Sequence, residues 1–168
     1  MIMYATLVEP VIKIYGAFYG DKNVKSIIEG RIMKNSLEIN ACNDIFGDPW
    51  FGTVKTLSVF YTYGSSRMYV EVVKEGQNLI IFWVPHIHTQ CEVSPKGPTA
   101  LAAVYGDKDV TLKACKLMTS GTPYLTTNNE KFEDTMPGIA KTLAIAYVDS
   151  NGFVRIACVK EGQAISLI

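Results

Sequence analysis

Val73-Lys74-Glu75-Gly76-Gln77 returns, letter for letter, as Val159-Lys160-Glu161-Gly162-Gln163, an offset of 86 positions (159 − 73). The same offset carries Tyr19-Gly20-Asp21-Lys22 onto Tyr105-Gly106-Asp107-Lys108, and Lys55-Thr56-Leu57 onto Lys141-Thr142-Leu143. It also carries Asn43 onto Asn129, Phe46 onto Phe132, Asp48 onto Asp134, Gly52 onto Gly138 and Tyr61 onto Tyr147. Aligned without a gap, residues 12–82 and 98–168 share 19 identities in 71 pairs. A register that never slips over that length marks a duplication, and a duplication has to be recognised before any element is assigned. The chain therefore divides into a first module over 1–83, a linker over 84–97 and a second module over 98–168.

Each module is rich in strand signals. Ile12 to Tyr19 is apolar and aromatic and ends at Gly20-Asp21, a turn pair. Leu37-Glu38-Ile39-Asn40 alternates as a half-buried strand does. Thr53 to Tyr63 places Leu57, Val59 and Tyr61 on one face. Gly64-Ser65-Ser66, and Ser150-Asn151-Gly152 in the second copy, form a hairpin turn with one glycine free to take positive φ. Met68 to Val73 returns, Lys74-Glu75-Gly76-Gln77 turns again, and Asn78 to Trp83 completes a meander. One short helix is expected per module, over Ser26 to Ile32 behind Asn23 and over Leu112 to Met118 behind Asp109. The reading is an all-β fold: two tandem homologous antiparallel β-sandwich modules, each with one short helix.

Composition narrows the function classes. Sixteen basic side chains balance sixteen acidic ones, so nothing draws the chain as a whole to nucleic acid or to anionic lipid. No apolar run reaches the roughly 18–20 residues that span a bilayer. Glu9, Pro10 and Lys13 interrupt the N-terminal apolar stretch where a signal peptide needs continuity, so that stretch reads as structure and the location as cytoplasmic by default. Cys42, Cys91, Cys115 and Cys158 contain no CxxC pair and are expected to be reduced and mostly buried.

The loop Asn43-Asp44-Ile45-Phe46-Gly47-Asp48-Pro49-Trp50-Phe51-Gly52 is the densest in turn residues. Its second copy, Asn129 to Gly138, keeps the Phe, the Asp and the last Gly but replaces Gly47 by Glu133 and moves the proline. Tyr19-Gly20, Phe46-Gly47-Asp48-Pro49, Gly52, Lys55, Leu57, Val59 and Tyr61, with Tyr105-Gly106, Asp109-Val110-Thr111, Lys141 and Leu143, carry a family resemblance. Together they resemble a domain of unassigned function at the C-terminus of a mitochondrial DnaJ-type co-chaperone, here in two copies. The first copy departs at Asn23-Val24-Lys25 and the second at Phe132-Glu133-Asp134-Thr135. The resemblance implies no catalytic residues, and without a His-Pro-Asp sequence it implies no co-chaperone activity.

Candidate sites are few. His86 and His88, two residues apart, are the weak candidates for a metal, with Cys91 or Glu92 beside them. Asn43, Asp44 and Asp48 offer calcium-type oxygens, but Asp48 and Asp134 are better read as shaping their loop, so no metal and no cofactor is expected. A histidine-based nucleophile has no base inside either module, and no phosphate-loop or dinucleotide motif occurs. The chain is thus read as no enzyme. Aromatics make the binding argument: Trp50 and Phe51 at a loop tip, Tyr63 and Tyr69 flanking the hairpin, with Asp48, Asn43 and Trp83. Trp50 and Phe51 serve equally well as a cover for a sandwich edge or module interface. The expected function is surface binding or self-association, with a homo-oligomer or protein partner. The alternative is a lectin-like or defence protein that binds glycan through its loop aromatics, where tandem sites gain by avidity.

Overall fold

The computed structural model describes residues 9–84, 98–121 and 123–167. The first module runs β1 (Ile12–Tyr19), β2 (Lys22–Asn23), α1 (Lys25–Glu29), β3 (Leu37–Asn40), α2 (Asn43–Phe46), β4 (Thr56–Tyr63), β5 (Tyr69–Lys74) and β6 (Asn78–Ile81). The second repeats the order: β7 (Thr99–Tyr105), β8 (Lys108–Asp109), α3 (Thr111–Met118), β9 (Tyr124–Thr126), α4 (Asn129–Phe132), β10 (Thr142–Val148), β11 (Val154–Lys160) and β12 (Ala164–Ser166). All strand pairs are antiparallel. The all-β, twice-repeated reading is the architecture observed.

Two details differ from expectation. Among the described residues each module holds two helices instead of one, because Asn43–Phe46 and Asn129–Phe132 each close a single helical turn that their turn-rich composition masked. The meander also breaks after its second hairpin. β6 leaves the sheet β2-β1-β4-β5 and pairs with β3, as β12 leaves β8-β7-β10-β11 and pairs with β9. The cause is the Glu75-Gly76-Gln77 turn. Gly76 takes φ 86°, its N–H donates to the Ala41 carbonyl at 2.7 Å, and Ala41 N–H donates to the Gln77 carbonyl at 2.9 Å. Gly162 and Thr127 repeat this crossing, with φ 87° and a 2.6 Å bond. The turn thus steps the chain from one layer of the sandwich to the other.

Inside each module the two-stranded ribbon and the first helix cover one face of the four-stranded sheet. Leu37 and Ile39 from β3 and Leu79 and Ile81 from β6 meet Leu57, Val59, Tyr61 and Tyr63 from β4, with Val24 and Ile28 at the helix end. A β-bulge sets which residues of β1 point inward. Pairing runs Ile14↔Tyr61 and then Gly16↔Phe60, leaving Tyr15 extra, so the inward set shifts from Ile12 and Ile14 to Ala17 and Tyr19. β7 carries the same bulge at Leu101.

β4 is buried along its whole length, on both faces. Its outer face packs on the other module: Phe18 and Phe60 lie among Ala102, Val104, Ala144 and Ala146, with Val70, Val72, Ile156 and Cys158 around them. Two ion pairs frame this interface, Lys74–Asp107 at 3.0 Å and Lys160–Asp21 at 3.2 Å. Each is the other displaced by the repeat offset with its partners exchanged. The modules are therefore related by a pseudo-two-fold axis, like the halves of an isologous dimer.

Candidate functional site

The polar residues that survive in both copies converge. Lys55 immediately precedes β4 with its side chain 2% exposed, yet its ammonium lies 2.8 Å from Asp48 Oδ1 and 3.1 Å from Glu75 Oε2. Lys141 is equally buried, 2.8 Å from Asp134 Oδ1 and 3.3 Å from Glu161 Oε2, and donates to the Ile139 carbonyl at 3.0 Å. Above each ammonium sits a tyrosine ring, Tyr19 at 5.8 Å and Tyr105 at 5.7 Å to the centroid. Their hydroxyls donate to Asn43 Oδ1 at 2.9 Å and Asn129 Oδ1 at 2.8 Å. Five identical residues at five equivalent positions thus tie the helical loop, the start of the long strand and the layer-crossing turn together.

The protonation states decide what these clusters can do. Burial by itself would lower the Lys55 ammonium, but its bonds to Asp48 and Glu75 outweigh that and raise it above the ordinary value; Lys141 behaves alike. Both stay protonated at neutral pH, so neither serves as nucleophile or base. Burial, then the charge of Glu75, raises the Tyr19 hydroxyl well above its ordinary range. Burial would raise the Glu75 carboxyl too, yet its bonds to Lys55 draw it below the ordinary carboxylate value. A carboxylate whose folded value lies below its unfolded one stabilises the fold above the unfolded value, and that contribution disappears as pH falls through the folded one. Thermal unfolding followed by circular dichroism should therefore show Glu75→Gln losing less stability than the native chain between neutral pH and about pH 3. Equal losses would remove Glu75 from the acid response.

The residues singled out for binding do not form one surface. Asn43 accepts from Tyr19, and Asp48 pairs with Lys55 while accepting the Trp50 N–H at 3.1 Å, so two of the three calcium-type side chains already have partners. Trp50 lies at the module junction with the Lys160 ammonium 4.9 Å from its ring, and its indole N–H is buried without an acceptor among the described residues. Its counterpart Met136 is likewise buried. Phe51 is 97% exposed. Tyr63 is buried and donates to the Asn35 carbonyl at 3.0 Å, and Trp83 packs on the core of the first module. Tyr69 stacks on Tyr61 at 5.7 Å, beneath Arg67 at 4.9 Å. His86, His88, Cys91 and Glu92 lie outside the described residues. Among the described residues no group of three or more His, Cys, Asp or Glu is placed to hold a metal ion, and no helix is long and apolar enough to cross a membrane.

Another place, which Tyr69 alone of those residues lines, gathers side chains from both modules. A groove of about 1050 Å³ runs between Arg67–Val70 of the first module and β8, the start of α3 and the 132–135 loop of the second. Its rim carries the one replaced glycine of the repeated loop. Gly47 has φ 76° and ψ 173°, and Glu133 is held at φ 69° and ψ 160°. That region is close to glycine-only and costs another residue about 1–3 kcal/mol. The Arg67–Tyr69 end of the groove was visible in the sequence only as a hairpin flank. No family model, no curated protein and no solved structure matches the chain.

Proposed function

We propose that the chain is a non-catalytic binding protein whose two modules together take a ligand in the groove between them. The observation that carries this reading is the groove itself. It draws its walls from both modules, and its volume of about 1050 Å³ lies just above the range for small-molecule sites, roughly 300–1,000 Å³. Chemistry of the side chains argues for binding over catalysis. The buried lysines are held protonated, and burial pushes the Cys158 thiol up to about 12, far from the range of a reactive cysteine. The pseudo-symmetric packing also favours a ligand over self-association, because the sheet faces with which a lone module would pair are covered by its own twin. The loop aromatics lend the glycan reading no shared platform.

A screen of small organic fragments against the full chain, followed by 1H–15N NMR, tests this. Hits should shift the amides of Met68–Val70 and Thr111–Lys113 together. Hits that cluster instead at Phe51, or a screen without hits, would overturn the proposal.

A further inference from the structure

We infer that the groove selects a small organic anion with an apolar body, its charge met by Arg67 and Lys108 and its body by Met68, Val70 and Leu112. This rests on the reading of the groove as a ligand site. The pattern of pairing fixes the sign of the charge. Three carboxylates line the groove: Asp134 pairs with Lys141 at 2.8 Å and Glu133 with Lys113 at 2.9 Å, while Asp109 accepts the Thr111 N–H at 2.8 Å and has no cation of its own. Three cations line it as well, and only Lys113 has a carboxylate. Arg67 lies over the Tyr69 ring, and the Lys108 side chain makes no hydrogen bond or ion pair with any described residue. Two cations without a carboxylate stand against one carboxylate without a cation, so the balance favours a negative ligand, beside an apolar wall in which Leu112 is 79% exposed. A guanidinium fork and an ammonium that line one groove suit a carboxylate, sulfonate or phosphate head.

The duplication provides an internal control. In the first module Lys22, the counterpart of Lys108, donates to the Phe46 carbonyl at 2.7 Å. Its ammonium stands 3.0 Å from where a Cβ on Gly47 would sit. In the second module that position is Glu133, which has a Cβ and keeps the same unusual backbone. A Cβ at that distance crowds the seat taken by Lys22, and Lys108 makes no such bond and is left on the groove. One replacement has thus strained the backbone and broken a hydrogen bond, and the fold receives only an exposed pair with Lys113 in return. A cation released beside a groove accounts for what stability does not.

The test uses the full chain and two fluorescent probes with nearly the same apolar body, 8-anilinonaphthalene-1-sulfonate and the neutral N-phenyl-1-naphthylamine. The sulfonate is expected to bind about tenfold more tightly. Arg67→Gln and Lys108→Gln should each remove most of that advantage and leave the neutral probe unmoved. Glu133→Gly should weaken sulfonate binding as Lys108→Gln does while raising the melting temperature, since Lys108 can then return to the Phe132 carbonyl. If both probes bind equally and Leu112→Glu abolishes both, the groove stands as a site and the anion inference falls. If neither probe binds, or Leu112→Glu affects neither, the groove reading itself falls.

Discussion

Lys55→Met should cost the chain about 3 kcal/mol, the low end of what removing one partner of a buried ion pair costs. The low end applies because Asp48 and Glu75 keep 29% and 24% of their side chains in contact with water. The ammonium itself is almost fully enclosed. Methionine keeps the aliphatic stem, so the loss measures charge and hydrogen bonds more than packing. For a chain of this length the melting temperature should fall by about 6–12 °C. Lys141→Met should do the same, because its partners and distances are repeated in the second module. By contrast, removing Lys25, whose pair with Glu29 is exposed on both sides, should cost less than about 0.5 kcal/mol. Adding Glu75→Gln to Lys55→Met should return part of the loss, since one of the two stranded carboxylates is then gone. Scanning calorimetry of the four variants checks this. A Lys55→Met chain that melts with the native one would mean that the clusters hold nothing together.

That experiment also separates the two kinds of identity in the duplication. Tyr, Asn, Asp, Lys and Glu at the clusters, and Lys-Glu-Gly-Gln at the turn, are kept because the module needs them. Glu75 holds Lys55, Gly76 takes the positive φ, and Gln77 Oε1 accepts the Lys74 N–H at 2.9 Å, as Gln163 does for Lys160. Lys74 itself reaches Asp107 on the other module. What the copies share is their fold. The groove lies where they differ, at Arg67 against Phe153, Leu112 against Ser26 and Glu133 against Gly47, which is where a function acquired after duplication can reside.

The repeat, its antiparallel strands and its turns were legible because they rest on local patterns: alternation, glycine positions and a constant offset. The clusters were half legible. Lys55 and Glu75 stood out as identities, but a lysine at a strand start reads as a solvated residue until its partners 7 and 20 positions away are known to converge. The crossing of β6 to β3 was hidden because Leu79 and Ile81 suit either neighbour; backbone bonds at Ala41 decide it. Trp50, Tyr63 and Tyr69 look alike in a sequence, an aromatic beside a turn. Their fates diverge because one meets Lys160 of the other module, one a carbonyl at Asn35 and one the ring of Tyr61. Of the groove only Tyr69 stood out, as an aromatic flanking a hairpin, since the rest follows from how two sheets dock.

That docking predicts the second large effect, a loss of about 3–5 kcal/mol on Phe60→Ala, the usual cost of emptying a ring-sized core site. Phe60 is fully buried, in a cluster that draws side chains from both modules. At its own position in the second module stands Ala146, and Phe18 has Val104 as counterpart, so one sheet face bulges where its twin recedes. Gly16 reverses the relation locally. A Cβ there would lie 2.5 Å from Ile156 Cγ2, so the bare backbone receives the isoleucine. Two copies of the first module would press phenylalanine on phenylalanine across the axis, whereas the diverged pair interlocks. Because the lost contacts join modules and not layers within one, Phe60→Ala should also uncouple them. Calorimetry should resolve two unfolding transitions in place of one, and the ratio of calorimetric to van't Hoff enthalpy should rise above unity. Phe46→Ala empties a comparable volume inside the first module alone, and should lower stability without raising that ratio as far. If Phe60→Ala melts in one transition within about 1 kcal/mol of the native chain, the two sheet faces do not pack against each other, and the groove between the modules loses its walls.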